Sequence, residues 1–205
     1  MKHIDLNTWN RTPLYEHFKT FKDPYFAVTT PLNVTRAYKY SQENNISFFA
    51  KYLHACMKAI NSVENLKYRI VDDAVVEFDI IHASSTIMRD NKTFGFSFID
   101  FNENIEVFIQ NIEAEKKRIK NSTNLFPPKN DLNCIHCSAM PWLNFTGHKE
   151  PVSGNLESVP KIAFSKATQV NNDLVMNVSI NVNHGLVDGY HVGLFIENFQ
   201  HNLNE

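Results

Sequence analysis

The segment 174–183 most limits how this chain of 205 residues can fold. Its even positions are all apolar, whereas positions 177, 179, 181 and 183 carry small polar residues. Successive side chains of a strand point to opposite faces of a sheet, so this alternation predicts a strand with one buried and one polar face. In the following segment, 189–203, the apolar residues recur at helical spacing. The chain must therefore turn from a strand into an amphipathic helix within a few residues.

The connection between that strand and that helix contains the densest group of glycines. Gly185, Gly189 and Gly193 are three of only six glycines in the chain, and glycine permits tight turns and close approach of the backbone. His184 begins the turn, and Asp188 stands where it can cap the helix or pair with an arginine from elsewhere. A histidine can take and return a proton near neutral pH, so His184 is a candidate general base.

His184 also has a purely structural interpretation. Its even number continues the apolar face of the strand, where burial would keep the imidazole neutral. A lone histidine on an apolar face is more often part of the core than a catalyst. The adjoining Asp188 and the clustered glycines favour the catalytic interpretation.

Elsewhere, helices and strands interleave without a regular βαβ rhythm. Apolar residues at helical spacing predict two more helices, at 47–60 and 104–119. Because the sequence contains no glycine-rich nucleotide motif, this order indicates an α+β two-layer sandwich, in which helices pack on a mixed β-sheet. The other predicted strands are 68–71, 74–79, 84–88, 93–99 and 139–145, and the long connections are 121–133 and 147–160.

Composition restricts the possible functions. Hydrophobic residues make up 43% of the chain and charged residues 20%, and we expect one globular domain over residues 1–205. The net charge of −2 comes without a basic block, so we expect no nucleic-acid partner. No apolar run reaches the roughly 18 residues that cross a bilayer, and the first residues lack a signal peptide. We therefore expect a cytoplasmic protein that does not bind membranes.

The three cysteines are too few, and odd in number, for a disulfide framework. Cys134, His136 and Cys137 could be half of a zinc site, but a structural zinc ion needs four nitrogen or sulfur ligands. The sequence contains no second pair at suitable spacing. Free, partly buried thiols explain these cysteines better, and we expect no metal.

Several short motifs follow one another along nearly the whole chain. Residues 182–191 read VNHGLVDGYH, residues 138–145 read SAMPWLNF, and residues 9–11 and 16–18 read WNR and EHF. The first resembles the HHxxxDGxH signature of the chloramphenicol acetyltransferase family, which a wider group of CoA-dependent acyltransferases shares. The others are similar to the Ser-Ala-x-Pro-Trp-x-x-Phe, Trp-x-Arg and Glu-His-Phe segments of the same family. The resemblance implies the fold of these acyltransferases.

The resemblance also implies a role for each matching residue. His184 would be the general base that takes the proton of the acceptor hydroxyl as its oxygen attacks the thioester of acetyl-CoA. Ser138 would donate a hydrogen bond to the oxyanion of the tetrahedral intermediate. Asp188 would pair with Arg11 and hold the active-site loop. No metal would take part.

Two further residues are assigned to substrate binding by the resemblance. Trp142 would lie along the channel for the pantetheine arm of CoA. Phe94 would line the pocket for the acceptor, which would be chloramphenicol or a related small molecule with a hydroxyl group. Members of the family are homotrimers with active sites between subunits, so we expect the histidine and much of the acceptor pocket to come from different subunits.

The sequence departs from the family pattern mainly on the acceptor side. Asn183 replaces the first histidine of the signature, and Ala163 replaces a threonine thought to hold a water near the transition state, with Ser165 nearby as a possible substitute. Three acceptor-pocket positions also differ, where the family has tyrosine, alanine and asparagine: Phe21, Phe96 and His136.

Because of these departures, the sequence supports the transfer of an acetyl group more strongly than it supports chloramphenicol as the acceptor of that group. One alternative is an acetyltransferase with a different acceptor, and another is a non-catalytic small-molecule binding protein on the same scaffold. A third is the acyltransferase core of a 2-oxo acid dehydrogenase complex, which shares HxxxDG. The sequence lacks a lipoyl motif and a Pro/Ala-rich linker, which argues against that core.

Overall fold

The computed structural model describes residues 1–153 and 157–205. The described helices are α1 (Thr12–Phe18), α2 (Thr35–Glu43), α3 (Phe48–Ser62), α4 (Ile105–Lys120) and α5 (Gly189–Leu203). The described strands are β1 (Lys2–His3), β2 (Tyr25–Asn33), β3 (Tyr68–Val71), β4 (Ala74–Glu77), β5 (His82–Met88), β6 (Phe94–Phe96), β7 (Cys134–Ala139), β8 (Lys161–Phe164), β9 (Thr168–Val170) and β10 (Asp173–Asn183). Within these ranges, no helix combines the length and the apolar character needed to cross a bilayer.

The strands form one large mixed sheet and one small antiparallel sheet. The large sheet has the order β2-β10-β8-β7-β5-β6, and β9 pairs with the first three residues of β10, 173–175. β7 runs parallel to both of its neighbours, β5 and β8, whereas the other pairs are antiparallel. The small sheet has the order β1-β4-β3.

The main core lies between one face of the large sheet and the helices. Val178, Ile180 and Val182, on the apolar face of β10, are fully buried, and they join one cluster with apolar residues of α3 and α5. Burial of apolar surface on this scale is the main stabilising contribution in a domain of this size. The structure confirms the predicted α+β architecture of helices packed on a mixed sheet.

Most predicted elements lie where expected, but the strand predicted at 139–145 is wrong. β7 ends at Ala139, and the chain then turns, with the N–H of Leu143 donating to the carbonyl of Met140 at 3.1 Å. Pro141 has no N–H to donate to a neighbouring strand, which explains why the strand stops before it. The strand predicted at 93–99 is also shorter, because the continuous pairing with β5 covers only Phe94–Phe96, and Ile99 then forms an isolated bridge with Ala83 of β5.

Several elements were not predicted, among them α1, α2, β1, β2, β8 and β9. α2 is mostly polar, and its buried residues are only Ala37 and Ser41. β2 contains two threonines and Pro31, which interrupt the apolar pattern. A proline is tolerated there because β2 is the edge strand of the sheet.

Arg69 connects the small sheet to the start of β7. This side chain is fully buried, and its partners in the described ranges are backbone carbonyls. Its Nε donates to Leu132 at 2.7 Å and its Nη2 to Cys134 at 2.6 Å, while its Nη1 donates to Leu66 and Tyr68. Burial lowers the pKa of Arg69 to about 10, so the guanidinium stays charged at neutral pH and carbonyl dipoles solvate it.

Candidate active site

His184 lies immediately after the end of β10. Its N–H donates to the carbonyl of Pro24 at 2.9 Å, which keeps the backbone beside the start of β2. Its imidazole stacks on Phe18, with ring centroids 4.3 Å apart and planes 12° apart, and lies 4.6 Å from the ring of Phe26. Packing between two aromatic rings fixes the orientation of the imidazole without using either ring nitrogen.

Arg11 and Asp188 hold the backbone around this histidine. Nη1 of Arg11 donates to Oδ2 of Asp188 at 2.6 Å, and Nη2 donates to the carbonyl of His184 at 3.3 Å. Arg11 is only 8% exposed, and Asp188 is the N-cap residue of α5. We call His184, Phe18, Phe26, Arg11 and Asp188 the histidine cluster. It contains the Arg11–Asp188 pair that the resemblance implies.

The charges around Asp188 keep it ionised. Burial raises the pKa of this carboxyl, but the hydrogen bond from Arg11 and the charges of His191 and Arg11 lower it by more, so the pKa lies below its usual value. Nδ1 of His191 lies 2.9 Å from Oδ1 of Asp188. His191, in the first helical turn of α5, therefore belongs to the contacts that hold the loop before this helix.

An Asp188→Asn variant is expected to be less stable by about 1–3 kcal/mol at pH 7, because it leaves the buried Arg11 without a carboxylate. Asp188 has a lowered pKa, so its contribution is fully present above the usual aspartate value of about 3.9 and is lost as the pH falls through the folded-state pKa. Thermal unfolding of the variant and the wild type should therefore give midpoints that differ at pH 7 and converge below about pH 4.

The matched control for this measurement is Asp90→Asn. Asp90 is exposed and its carboxylate makes no hydrogen bond with another described residue. Its substitution should leave the unfolding midpoint almost unchanged at both pH values. A gap between Asp188→Asn and the wild type that stays constant from pH 7 to pH 3 would show that the ionised carboxylate does not stabilise the turn.

Ser138 lies on β7 and faces a cavity of about 590 Å³. Its neighbour Cys137 points to the other side of the sheet, where it is buried in the core. The Oγ of Ser138 makes no hydrogen bond with another residue of the described ranges, so its O–H is free to donate to a ligand. We call this space the serine cavity. It is lined by residues that include Ser84, Thr86, Lys92, Phe94, Phe96, His136, Ser138, Trp142, His148, Glu150 and Lys161.

One wall of the serine cavity is aromatic. Phe94 meets Phe96 edge to face at 5.4 Å, and Phe96 stacks on Phe126 at 5.5 Å with an angle of 24°. Trp142 is 66% exposed and also lines a second cavity, of about 860 Å³, which we call the lysine cavity because it contains Lys116 and Lys166. The two cavities therefore meet at Trp142.

His136 lies on the same face of β7 as Ser138. It is accessible from the cavity, but the surrounding protein disfavours its charged form and lowers its pKa to about 4, with a further contribution from the positive charge of Lys161. The positive charge of Lys161 is partly balanced by Glu157, because a carboxylate oxygen of Glu157 lies 2.6 Å from the Nζ of Lys161. At neutral pH His136 thus offers one N–H donor and one nitrogen acceptor.

The asparagine that replaces the first signature histidine has a structural role. Oδ1 of Asn183 accepts the N–H of Gly185 at 2.9 Å, and its Nδ2 donates to the carbonyl of Glu157 at 2.7 Å. A Cβ at Gly185 would lie 3.1 Å from that Oδ1. Asn183 therefore shapes the turn and leaves His184 in place.

Ser165 does not supply the hydroxyl that Ala163 lacks. Its Oγ accepts the N–H of Asn177 at 2.9 Å and donates to the carbonyl of Lys166 at 3.0 Å. Both bonds are to the backbone, so this hydroxyl is already engaged. Ala163 is buried beside Ser138 in the register of the sheet.

His184 and Ser138 do not meet within one chain. Ser138 aligns with Ala163 on β8, and Ala163 aligns with Ser179 on β10. His184 follows Ser179 by five residues, so the two functional residues are about 17 Å apart along the strands and about 10 Å apart across them. The candidate site is therefore divided into two parts.

The other predicted site residues divide in the same way. Phe21 packs on Phe18 with ring centroids 5.2 Å apart and so lies beside the histidine cluster. The remaining predicted residues all line the serine cavity: His136, Phe94, Phe96 and Trp142. Neither group alone combines His184 with Ser138.

Sequence reasoning did not find several residues that shape the two groups. Phe18 appeared only as part of a motif, and Phe26 lies on the strand that was not predicted. The pair of Lys161 and Glu157 is spaced by four residues, but only the fold shows that it lies beside His136. His148 and Glu150 fall in a predicted connection, where no pattern indicates that they face a cavity.

A long strand that ends in HxxxDG, on a mixed sheet that also carries a serine cavity, defines an acyltransferase with the fold of the CoA-dependent enzymes. The family model described as "Chloramphenicol acetyltransferase" matches residues 1–200. The chain belongs to this family.

Individual relatives agree with that assignment. "Chloramphenicol acetyltransferase 2" of Haemophilus influenzae is 28% identical over 206 residues, which cover 96% of this chain and 94% of that protein. A solved structure of a chloramphenicol acetyltransferase superposes with a TM-score of 0.84 at 27% identity, covering 98% and 99% of the two chains. The truncated catalytic core of the 2-oxoacid dehydrogenase complex from Thermoplasma acidophilum reaches a TM-score of 0.70 at 10% identity, covers 100% and 99%, and shares the fold alone.

Proposed function

We propose that this protein transfers the acetyl group of acetyl-CoA to a hydroxyl of chloramphenicol or of a related small molecule. The observation that carries the proposal is the free hydroxyl of Ser138 in a largely apolar cavity, together with an imidazole held between Phe18 and Phe26. The matching family model and the relative from Haemophilus influenzae are both named chloramphenicol acetyltransferase. The aromatic wall at Phe94 and Phe96 suits an acceptor with an aromatic ring.

In the proposed reaction, His184 takes the proton of the acceptor hydroxyl while the oxygen of that hydroxyl attacks the thioester carbonyl carbon. Ser138 donates its O–H to the oxyanion that forms on the carbonyl oxygen. When this oxygen regains its double bond, the carbon–sulfur bond breaks. His184 then returns the proton to the leaving sulfur of CoA, and the products are an acetyl ester and free CoA.

The separation of His184 and Ser138 supports a homotrimer with its active sites between subunits. A cyclic assembly can place the histidine cluster of one subunit opposite the serine cavity of the next, so that each interface builds one complete site. This arrangement also accounts for the position of Phe21, which would close the serine cavity of the neighbouring subunit.

For acetyl-CoA we propose the lysine cavity. Lys116 and Lys166 would bind its phosphate groups, since an ammonium group is a common ligand for phosphate. The thioester would reach Ser138 past Trp142, where the two cavities meet. We propose the cytoplasm as the location, because Cys56, Cys134 and Cys137 are buried free thiols.

The direct test is to follow the release of free CoA from acetyl-CoA by the purified protein, with and without chloramphenicol. We expect release that needs both substrates and yields the acetylated product. Calorimetry with acetyl-CoA provides the second measurement. A protein that binds a small apolar molecule, but shows neither affinity for acetyl-CoA nor loss of thioester with any hydroxylated acceptor, would be the non-catalytic binding protein instead.

A further inference from the structure

The serine cavity has two walls of different chemistry. Besides the aromatic side chains, the lining includes a polar part, which we call the polar wall and to which His148 and Glu150 contribute from the connection that follows β7. The polar wall and Ser138 line the same cavity, so an acceptor that fills this cavity lies near both. The side chains of the polar wall therefore influence which acceptor binds in the cavity.

Glu150 carries a negative charge that the surrounding protein does not neutralise. Its carboxylate accepts no hydrogen bond from a residue within 1–153 or 157–205, and its nearest basic group is Nε2 of His148, at 3.6 Å from Oε1. That distance is too long for a hydrogen bond. The side chain of Glu150 is only 22% exposed, so bulk water solvates it incompletely.

The other charged groups of the cavity do not compensate this carboxylate. Nζ of Lys161 donates to Glu157 at 2.6 Å and to the carbonyl of Pro151 at 2.5 Å, and its side chain is 7% exposed. Lys92 belongs to the exposed turn between β5 and β6. His136 is neutral at physiological pH. Among the described residues, the carboxylate of Glu150 therefore has no basic group closer than His148 and no hydrogen-bond donor.

We propose that Glu150 binds a protonated amino group of the acetyl acceptor. A partly dehydrated carboxylate is stabilised most by a cationic donor, which forms a short charge-assisted hydrogen bond. The acceptor class is then a hydroxylated amine with an aromatic or apolar part, whose ring packs on Phe94 and Phe96 while its hydroxyl reaches Ser138. Glu150 is in this way a residue that determines acceptor specificity, and the inference rests on the proposed acetyl transfer.

Two compounds that differ only at nitrogen provide the test. Chloramphenicol carries a neutral amide, whereas removal of its dichloroacetyl group leaves the same nitrophenyl propanediol with a free amine that is protonated at pH 7. We expect the wild type to show a kcat/KM for the amine that is about 10- to 100-fold higher than for chloramphenicol, as a hydrogen bond to a charged group predicts. Free CoA release measures both values.

The variant Glu150→Gln keeps the size of the side chain and removes its charge. It should lower kcat/KM for the amine by about 10- to 100-fold and raise the value for chloramphenicol, so that the preference is lost. Glu150→Asp keeps the charge and should retain a preference for the amine. The control is Glu197→Gln on α5, an exposed residue without a described side-chain contact, and it should leave the ratio of the two values unchanged.

Equal effects of Glu150→Gln on both compounds, or a wild type that prefers chloramphenicol, would overturn the inference and leave acetyl transfer standing. Should neither compound release CoA, calorimetry still decides. Tighter binding of the amine, lost in Glu150→Gln, supports the subsite even if acetyl transfer fails, and equal binding of both compounds refutes it.

Discussion

Replacing His184 by alanine is expected to lower kcat for acetyl transfer by about 10²–10⁴-fold, which is the usual contribution of a positioned general base. The imidazole lies between Phe18 and Phe26, so its loss removes the group that would take the hydroxyl proton. The KM for acetyl-CoA should change little, because the lysine cavity that we assign to it does not contain this residue. Initial rates of CoA release at saturating concentrations of both substrates provide the measurement.

A second histidine on the same part of the chain provides the control. His201 is 75% exposed near the end of α5, and its Nε2 lies 3.4 Å from a carboxylate oxygen of Glu205. His201→Ala should retain the wild-type rate. A His184→Gln variant, which refills part of the space between the two phenylalanines, separates lost chemistry from lost packing. If either His184 variant turned over as fast as the wild type, the role of His184 as base would be wrong.

Two inactive variants are expected to restore activity when their chains assemble together. One chain carries His184→Ala and the other carries Ser138→Ala. In a cyclic trimer whose sites take the histidine from one subunit and the serine from the next, equal mixing of chains gives both intact residues at about a quarter of the sites. Co-expression of the two variants, purification of all trimers together and measurement of CoA release should thus yield about a quarter of the wild-type rate.

The same experiment discriminates between the two possible locations of the site. If each site used His184 and Ser138 of a single chain, every mixed trimer would be as inactive as the separate variants. A chain with both substitutions, assembled with itself, sets the background rate. Sedimentation of the mixed sample establishes that the assembly is a trimer, and a monomer with full activity would overturn the shared site.

The strand, turn and helix at the C-terminal end could be predicted from sequence to within one residue. The alternation over 176–183 is strict, and the glycines and Asp188 mark the turn, so local pattern alone fixes β10 and the start of α5. The segment 139–145 shows the opposite case. Its apolar residues suggested a strand, but Pro141 has no N–H to donate, and β7 is paired on both sides, where a proline is not tolerated.

The predicted and unpredicted parts of the candidate site differ for a physical reason. The motifs pointed to His184 and Asp188, which lie in one turn, and to Arg11, which lies 177 positions before Asp188. They could not show the separation of His184 from Ser138, which depends on the strand order β10-β8-β7. Strand order is set by packing across the whole sheet, and no short segment encodes it.

For the same reason, the sequence does not predict which groups surround His136 and Glu150. His136 was predicted as a pocket residue, but its low pKa results from Lys161 and from walls contributed by distant segments. Glu150 follows Ser138 by twelve residues in a connection with no periodic pattern. Its place in the lining of the serine cavity depends on the folded chain alone.

The buried guanidinium of Arg69 has a consequence for the order in which the chain can fold during synthesis. Two of its carbonyl partners, those of Leu132 and Cys134, belong to residues made more than sixty positions later. Until they leave the ribosome, Arg69 cannot enter the interior without losing hydration that nothing replaces. The small sheet therefore reaches its final packing only when the start of β7 has been translated, although its own strands are complete long before.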